Sequence, residues 1–392
     1  MARLTRAQLQ ELNRAKVLAA ARAEFAEYGY REAKIDDIAE RAELTRGAVY
    51  SNFPGKRALY FAVLAEEAAG SLAQGGADAA GSLAEGGADA AGSWARAPGD
   101  GVTPGREGAP RDEAAAGRTA EEALRAFARA WLARLPLAEE PAPVGSDLIP
   151  EIMADELTRR PYAQLLKLQA LLLALALERL GPGGGRRVKL AETALTILQG
   201  AVQLSAAAPG FVEPFAVVGA IGQLMEADLE DSWPPPHLAF APVATEVDEP
   251  WAAPVARDEV GGGVAPVPDG VVAVLGLHRI EAVEEAVRAG GGPVTAVLVT
   301  REPAELAPLA RLTVAEVAGR LRQAFPAAAW PGVRVVIDES GTLAAAAGVR
   351  EISDTTQSAI RVASGRIVAR ADGYGACHAA SAAAPARRRE KA

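Results

Sequence analysis

Thr45, Arg46, Gly47 and Tyr50 fall within one short stretch, and their side chains suit contact with a nucleic-acid duplex. An arginine guanidinium donates two parallel hydrogen bonds to a guanine edge, or one to a phosphate. The Thr45 hydroxyl, the Tyr50 phenol and the Asn52 amide suit phosphate contacts that fix register. Lys34 and Lys56 flank the group with two more cations. Lys56 also falls where a helix would open, and backbone N–H groups at such a point attract a phosphate.

The elements that must position these residues are legible between Ala33 and Lys56. Ile35, Ile38, Ala39 and Ala42 are spaced to line one face of a short helix. Glu43 and Leu44 fill a turn. Thr45 is a good N-cap for a second helix over 46–52. Val49 and Phe53 lie four apart and can fold back on the first helix, while Ala39 and Gly47 are small where two helices cross closely. Pro54 and Gly55 end the second helix and Lys56 opens a third. This is a helix-turn-helix pattern, whose second helix presents its N-terminal residues to base edges in the major groove.

Residues 14–64 resemble the DNA-binding head of the TetR family of transcriptional repressors. The resemblance rests on Ile35-Asp36-Asp37-Ile38-Ala39, on Gly47-Ala48-Val49-Tyr50-Ser51-Asn52-Phe53, and on Gly55-Lys56-Arg57-Ala58-Leu59. It implies a dimer on a palindromic operator, a helical body that takes a small-molecule effector, and a helix from Lys56 that swings the head when the effector binds.

Bulk properties agree with a selective rather than a general nucleic-acid binder. The chain has 392 residues and a formal charge of −9. Residues 1–57 nevertheless hold 11 Lys/Arg against 8 Asp/Glu, a surplus of three positive charges. One cysteine, Cys377, excludes an internal disulfide and a cysteine-based zinc site. The chain opens with a polar, charged segment rather than a secretory leader. Its longest apolar run, 170–177, is far short of the roughly 20 residues that span a bilayer. The expectation is a cytoplasmic protein with no membrane contact and no cofactor.

Along the chain, Thr5 with Gln8 makes a capping box, and Leu18, Ala21, Phe25 and Tyr28 recur at helical spacing up to a C-cap at Gly29. Residues 68–118 hold three copies of an eleven-residue Gly-rich unit and then a Pro/Gly-rich stretch, which predicts a flexible insertion. Thr119 and Glu122 form a second capping box ahead of Leu124, Phe127, Trp131 and Leu135. A short helix over 146–159 stops before Pro161, and an all-round apolar helix follows over 162–180. Pro182 to Gly185 lacks the Lys-Ser/Thr ending of a phosphate loop and reads as a linker.

Helices over 187–207 and 212–231 carry two apolar stripes that need two partners. One solution is an intramolecular helix pair. The other is a four-helix bundle with a second chain, built on Leu195, Leu198, Val202, Phe215, Val218 and Met225. The second is favoured because two recognition helices must span half-sites about one DNA turn apart. The effector pocket should lie within 119–207, where Phe127, Trp131, Met153, Tyr162 and Gln169 are candidate lining residues.

After a Pro-rich linker over 233–268, the periodicity changes. Strands are expected at 271–275, 294–300 and 333–337, and a hairpin at 357–362 and 366–370 across Ser364-Gly365. Helices are expected at 280–289, 313–325, 340–347 and 375–383. This order is similar to the thioredoxin fold, and nearer its peroxiredoxin-like branch, through Val336-Ile337-Asp338-Glu339-Ser340-Gly341, Leu343, Gly348-Val349, Ser358 to Val362 and Gly365 to Val368. Such catalysis needs a thiolate just after the first strand. Gly276-Leu277-His278-Arg279-Ile280 supplies none, and Thr355 and Thr356 stand where a proline precedes the hairpin. Cys377 and His378 are helix neighbours that point about 100° apart, so they do not form a nucleophile–base pair. His237 and His278 lack ligand partners at metal spacing, and Arg387-Arg388-Arg389 reads as a solvated end, with a weak phosphate contact as the alternative.

The expected architecture is multidomain. A helix-turn-helix domain spans 1–56 and a helical effector-binding and dimerisation domain spans 57–232. A linker over 233–268 leads to an α/β thioredoxin-like domain over 269–385 and a basic tail over 386–392. The expected function is that of a ligand-controlled repressor, not an enzyme. The alternatives are a thioredoxin-like enzyme with a helical appendage, or an adaptor whose last domain docks a protein partner.

Overall fold

A computed structural model of the chain describes residues 5–85, 118–133, 135, 144–181, 185–233, 243–290 and 292–383, without the side chains of Ala7 and of 71–85. His237, Pro182, residues 234–242 of the Pro-rich stretch, most of the repeat insertion and the basic tail lie outside the described residues.

The head is built from α1 (Arg6–Glu32), α2 (Ile35–Arg41) and α3 (Arg46–Asn52). The Thr5/Gln8 capping box closes the start of α1, and Gly29 kinks that helix at φ 73° before a last turn to Glu32. Phe25, Ile38, Ala39, Val49 and Phe53 are buried together. Glu43 takes the left-handed conformation in the turn between α2 and α3, at φ 56°.

The body consists of α4 (Lys56–Glu85), α5 (Ala120–Leu132), α6 (Leu148–Ala154), α7 (Glu156–Leu180), α8 (Val188–Ala207) and α9 (Pro214–Gln223). Three expectations change here. Residues 68–85 continue α4 rather than starting a flexible insertion, because alanine, the best helix former, recurs often enough to offset the glycines. Helix α7 does not stop before Pro161. It starts at Glu156, with the Asp155 carboxylate accepting from the Leu157 N–H at 2.9 Å, and encloses Pro161. The proline is the sixth residue of the helix, so it interrupts one ladder bond only, and its ring is buried. The last body helix is ten residues, ending at Gln223 and followed by a 3₁₀ turn over Leu224–Glu226.

The third region is a six-stranded mixed sheet with helices. Strands β1 (Thr245–Pro250), β4 (Gly270–Gly276), β5 (Val294–Val299), β6 (Val333–Ile337), β7 (Gln357–Ala363) and β8 (Arg366–Asp372) lie in the order β1-β8-β7-β4-β5-β6. A separate ribbon pairs β2 (Val255–Arg257) with β3 (Val264–Pro266). Strands β4, β5 and β6 are parallel, with Val271 opposite Val294 and Val294 opposite Val333; β7 runs antiparallel beside β4, and β8 turns back antiparallel to β7, in the direction of β4. The tight turn between them holds Ser364 and Gly365 at φ 53° and 68°, as a two-residue hairpin requires.

The expected linker therefore contributes an edge strand. β1 pairs antiparallel with β8, Thr245 opposite Arg370. Its sequence, Thr-Glu-Val-Asp-Glu-Pro, lacks the apolar run of a central strand because most of it faces water at a sheet edge.

The helices of this region are α10 (Val283–Arg288), α11 (Pro303–Ala324), α12 (Thr342–Ala346) and α13 (Ala376–Ala382). Helix α11 begins ten residues before the expected Thr313. Pro303 occupies its first turn, Pro308 is again the sixth residue, and the Thr313 hydroxyl donates to the Leu309 carbonyl instead of capping. The pleat divides β4 cleanly. Val271, Ala273 and Leu275 join α10, α11, α13 and the body helices in one continuous core, while Val272 and Val274 form a second core with Trp251 and Leu343. The α/β region is thus fused to the helical body rather than attached by a linker.

Candidate nucleic-acid interface

Thr45, Arg46, Gly47 and Tyr50 lie exposed at and along the first turns of α3, and Lys34 is exposed at the start of α2. The order of α2 and α3 produces this arrangement. Thr45 accepts from the Ala48 N–H at 3.2 Å and fixes the start of α3, so Arg46 and Gly47 form its first turn and Tyr50 follows one turn later. Buried Val49 turns inward and leaves the other face to solvent.

The Arg46 guanidinium, 60% exposed, donates to both Asp36 carboxylate oxygens at 3.1 and 3.0 Å and stands 5.6 Å from the Tyr50 ring. A hydrogen bond with Tyr50, and then the Asp36 charge, hold it firmly protonated. Asn52 and Lys56 sit differently from the other five. The Asn52 amide donates to the Ala48 carbonyl at 2.8 Å and is half-buried, so it serves the end of α3. Lys56 donates to the Arg31 carbonyl at 3.0 Å and lies over the Tyr30 ring at 4.7 Å, tying α4 to the end of α1. Burial lowers its pKa, against the pull of Glu151, Glu32 and Asp147.

Behind the head, a cavity of about 220 Å³ opens between the body and α11. Trp131 is the one residue of the five expected that lines it. Phe127 is fully buried in the core against Trp131, with ring centres 5.6 Å apart. Met153 is 71% exposed and so part of the outer surface. Tyr162 is half-buried, and Gln169 is buried with its amide donating to the Thr313 carbonyl at 2.6 Å. The physical reason is α11, which packs along α4, α5 and α7 and takes the space these side chains were expected to line.

The walls of this cavity include residues that sequence reasoning missed: Glu67 from α4, Gln199 and Gln203 from α8, and Glu316 and Arg320 from α11. Arg320 stacks over Trp131 at 4.0 Å. The four-residue step from Leu312 to Glu316 to Arg320 was the available signal, but it points nowhere until α11 is known to cross into the body.

The expected dimer residues divide in the same way. Leu195, Leu198 and Val218 are buried in the chain's own core, because α8 packs on α7 and α9 packs on α5. They are therefore no free surface for a second chain. Val202 is half-buried and lines the cavity, Met225 is half-buried, and Phe215 is 82% exposed; Phe211 and Leu204 are exposed as well.

In the α/β region, Cys377 is fully buried and burial pushes its thiol up. His278 is half-buried, with a pKa lowered chiefly by burial. Among the described residues no group of three or more His, Cys, Asp or Glu is placed to hold a metal ion, and no helix is long and apolar enough to cross a membrane.

No curated protein matches the chain. Among solved structures, the fatty acid degradation regulator FadR from Bacillus halodurans aligns over 55% of this chain and 98% of its own, at 14% identity and a TM-score of 0.26. Residues 17–63, from the middle of α1 through the first turns of α4, match the family described as bacterial regulatory proteins, tetR family. That segment contains the helix-turn-helix and its exposed Arg46–Tyr50 face, and it is a TetR-type N-terminal DNA-binding domain.

Proposed function

We propose that the protein is a transcriptional regulator that binds a two-fold symmetric operator as a homodimer and changes its operator affinity when a small molecule occupies the cavity behind the head. The observation that carries the reading is the exposed first turn of α3, with Thr45, Arg46, Gly47 and Tyr50 side by side on a TetR-type domain. One such head reads only a few base pairs, so two, set about one DNA turn apart, are needed for selectivity.

The exposed apolar side chains Leu204 of α8, Phe211 of the loop that follows it and Phe215 of α9 mark the proposed pairing surface, in place of the buried seam. The cavity, apolar at Leu64, Trp131 and Leu312 and polar at Glu67, Glu316 and Arg320, suits a compact amphipathic effector. We assign the α/β region to the thioredoxin-like class, supported by the order β8-β7-β4-β5-β6 with β7 alone antiparallel to the other four. It has no redox role in this proposal, since its thiol is sealed. The site of action is the cytoplasm, where the DNA is.

Selection of bound duplexes from a random pool tests the proposal. The expected outcome is a palindromic consensus, lost in Arg46→Ala and Tyr50→Ala. Enrichment of no sequence, together with a monomer in solution, would refute it.

A further inference from the structure

Helices α4 and α11 carry matching spacings. Arg57, Leu64 and Ala68 lie on α4, and Glu305, Leu312 and Glu316 on α11, each set in steps of seven and four. Seven residues are close to two helical turns, so each set stays on one side of its helix. The first members meet directly: Arg57 Nε donates to Glu305 Oε1 at 2.6 Å. The other four line the cavity. The two helices therefore run parallel, with an ion pair at their starts and the cavity about 10 Å further along, from a rise of about 1.5 Å per residue.

The position of the ion pair matters. Arg57 follows Lys56 at the foot of the head, and its Nη1 also donates to Asp155 Oδ2 at 2.5 Å, at the N-cap of α7. All three side chains are partly buried, so the guanidinium joins the head's support, the body and the α/β region in one contact.

We propose that α11 is the relay between the cavity and the DNA-binding head. A ligand that wedges α4 from α11 at Leu64 and Leu312 opens the Arg57–Glu305 contact, frees the start of α4 and re-aims α3. The α/β region is then a working part of the regulatory switch: it supplies one wall of the effector site and the anchor of the head. This rests on reading the cavity as an effector site.

A double-substitution experiment on the full chain tests the relay without an identified ligand. Val202→Trp fills the cavity from α8, opposite α11, and Glu305→Gln removes the anchor's charge while keeping its shape. Hydrogen exchange of the α1–α3 amides is read without DNA, and affinity is read on the duplex selected from the random pool. In the wild-type background, Val202→Trp should raise head exchange and shift affinity about tenfold, within the usual range for coupled sites. In the Glu305→Gln background the same substitution should add less than about twofold. Equal effects in both backgrounds would overturn the relay while leaving the cavity as an effector site, and no effect in either would also overturn it. Gln203→Trp at the cavity wall repeats the test if Val202→Trp does not fold. If no duplex is selected, the DNA reading fails, and the exchange measurement still decides the relay.

Discussion

Arg46 and Asp36 form a two-pronged pair across the helix-turn-helix, one nitrogen 3.1 and 3.0 Å from the two carboxylate oxygens. The guanidinium on the exposed face is therefore already held by the preceding helix. Under the proposed function, contact with a base would exchange one acceptor for another, and Asp36 would compete with the operator.

Removing each partner should separate these roles. Arg46→Ala should cost about 1–3 kcal/mol on the selected duplex and relax the preference at the base it reads. Asp36→Asn should strengthen binding by up to about fivefold, the range of an exposed ion pair. Titrations of selected and scrambled duplexes at fixed salt check both. Unchanged affinity in Arg46→Ala would remove this arginine from the interface.

The head has a second, inner pair. Glu24 is 3% exposed and lies 3.1 Å from Arg41, which also reaches Glu27 at 2.8 Å. Arg41→Ala strands a buried carboxylate and should destabilise the head by about 2 kcal/mol. Glu24→Gln in the same chain should recover part of that loss. Local opening free energies from hydrogen exchange over α1 and α2 measure both steps.

Residues 1–232 should not form a stable soluble unit without the α/β region. Leu306, Leu309, Val314, Val317 and Leu321 of α11 are buried in the core shared with the body, so their removal exposes the apolar faces of α4, α5 and α7. The expected result on expression is aggregation or a loosened helical state. A well-folded, cooperatively melting fragment would contradict the shared core.

Acid should weaken the join between head and body in a defined window. The Asp155 carboxyl is held below its usual range, first by the Leu157 amide and then by Arg57. A folded value below the unfolded one, about 3.9, stabilises the fold above that pH and loses the stabilisation as pH falls through the folded value. Arg57→Met should raise the pH of the acid transition, since the amide remains but the guanidinium is gone. Denaturant midpoints between about pH 2 and 5 check the shift.

The head was legible in the sequence because its instructions are local. Thr45 caps α3 from three residues away, Gly29 and Glu43 mark the breaks, and Ile38, Val49 and Phe53 recur at helical spacing. The parallel core strands were legible for a similar reason: Val271 to Leu275 is a continuous apolar run, and Val294 to Val299 is apolar but for Thr295, both buried on both faces. Other features have no local signal. Pro161 and Pro308 look like helix ends, yet each sits in the sixth position of a helix whose packing outweighs one lost bond. The polar strand β1 is set by the free edge of β8, a partner 120 or so residues away along the chain.

The sequence by itself determined which side chains α3 presents, since helix period and capping place Thr45, Arg46, Gly47 and Tyr50 on one face whatever lies behind. Only the tertiary structure decided what lies behind. It ran α11 parallel to α4, brought Glu305 to Arg57, buried Gln169 against Thr313 and turned Leu195 and Leu198 inward. An apolar stripe specifies that a helix must be covered but not by what, and here the covering helix comes from the far end of the chain.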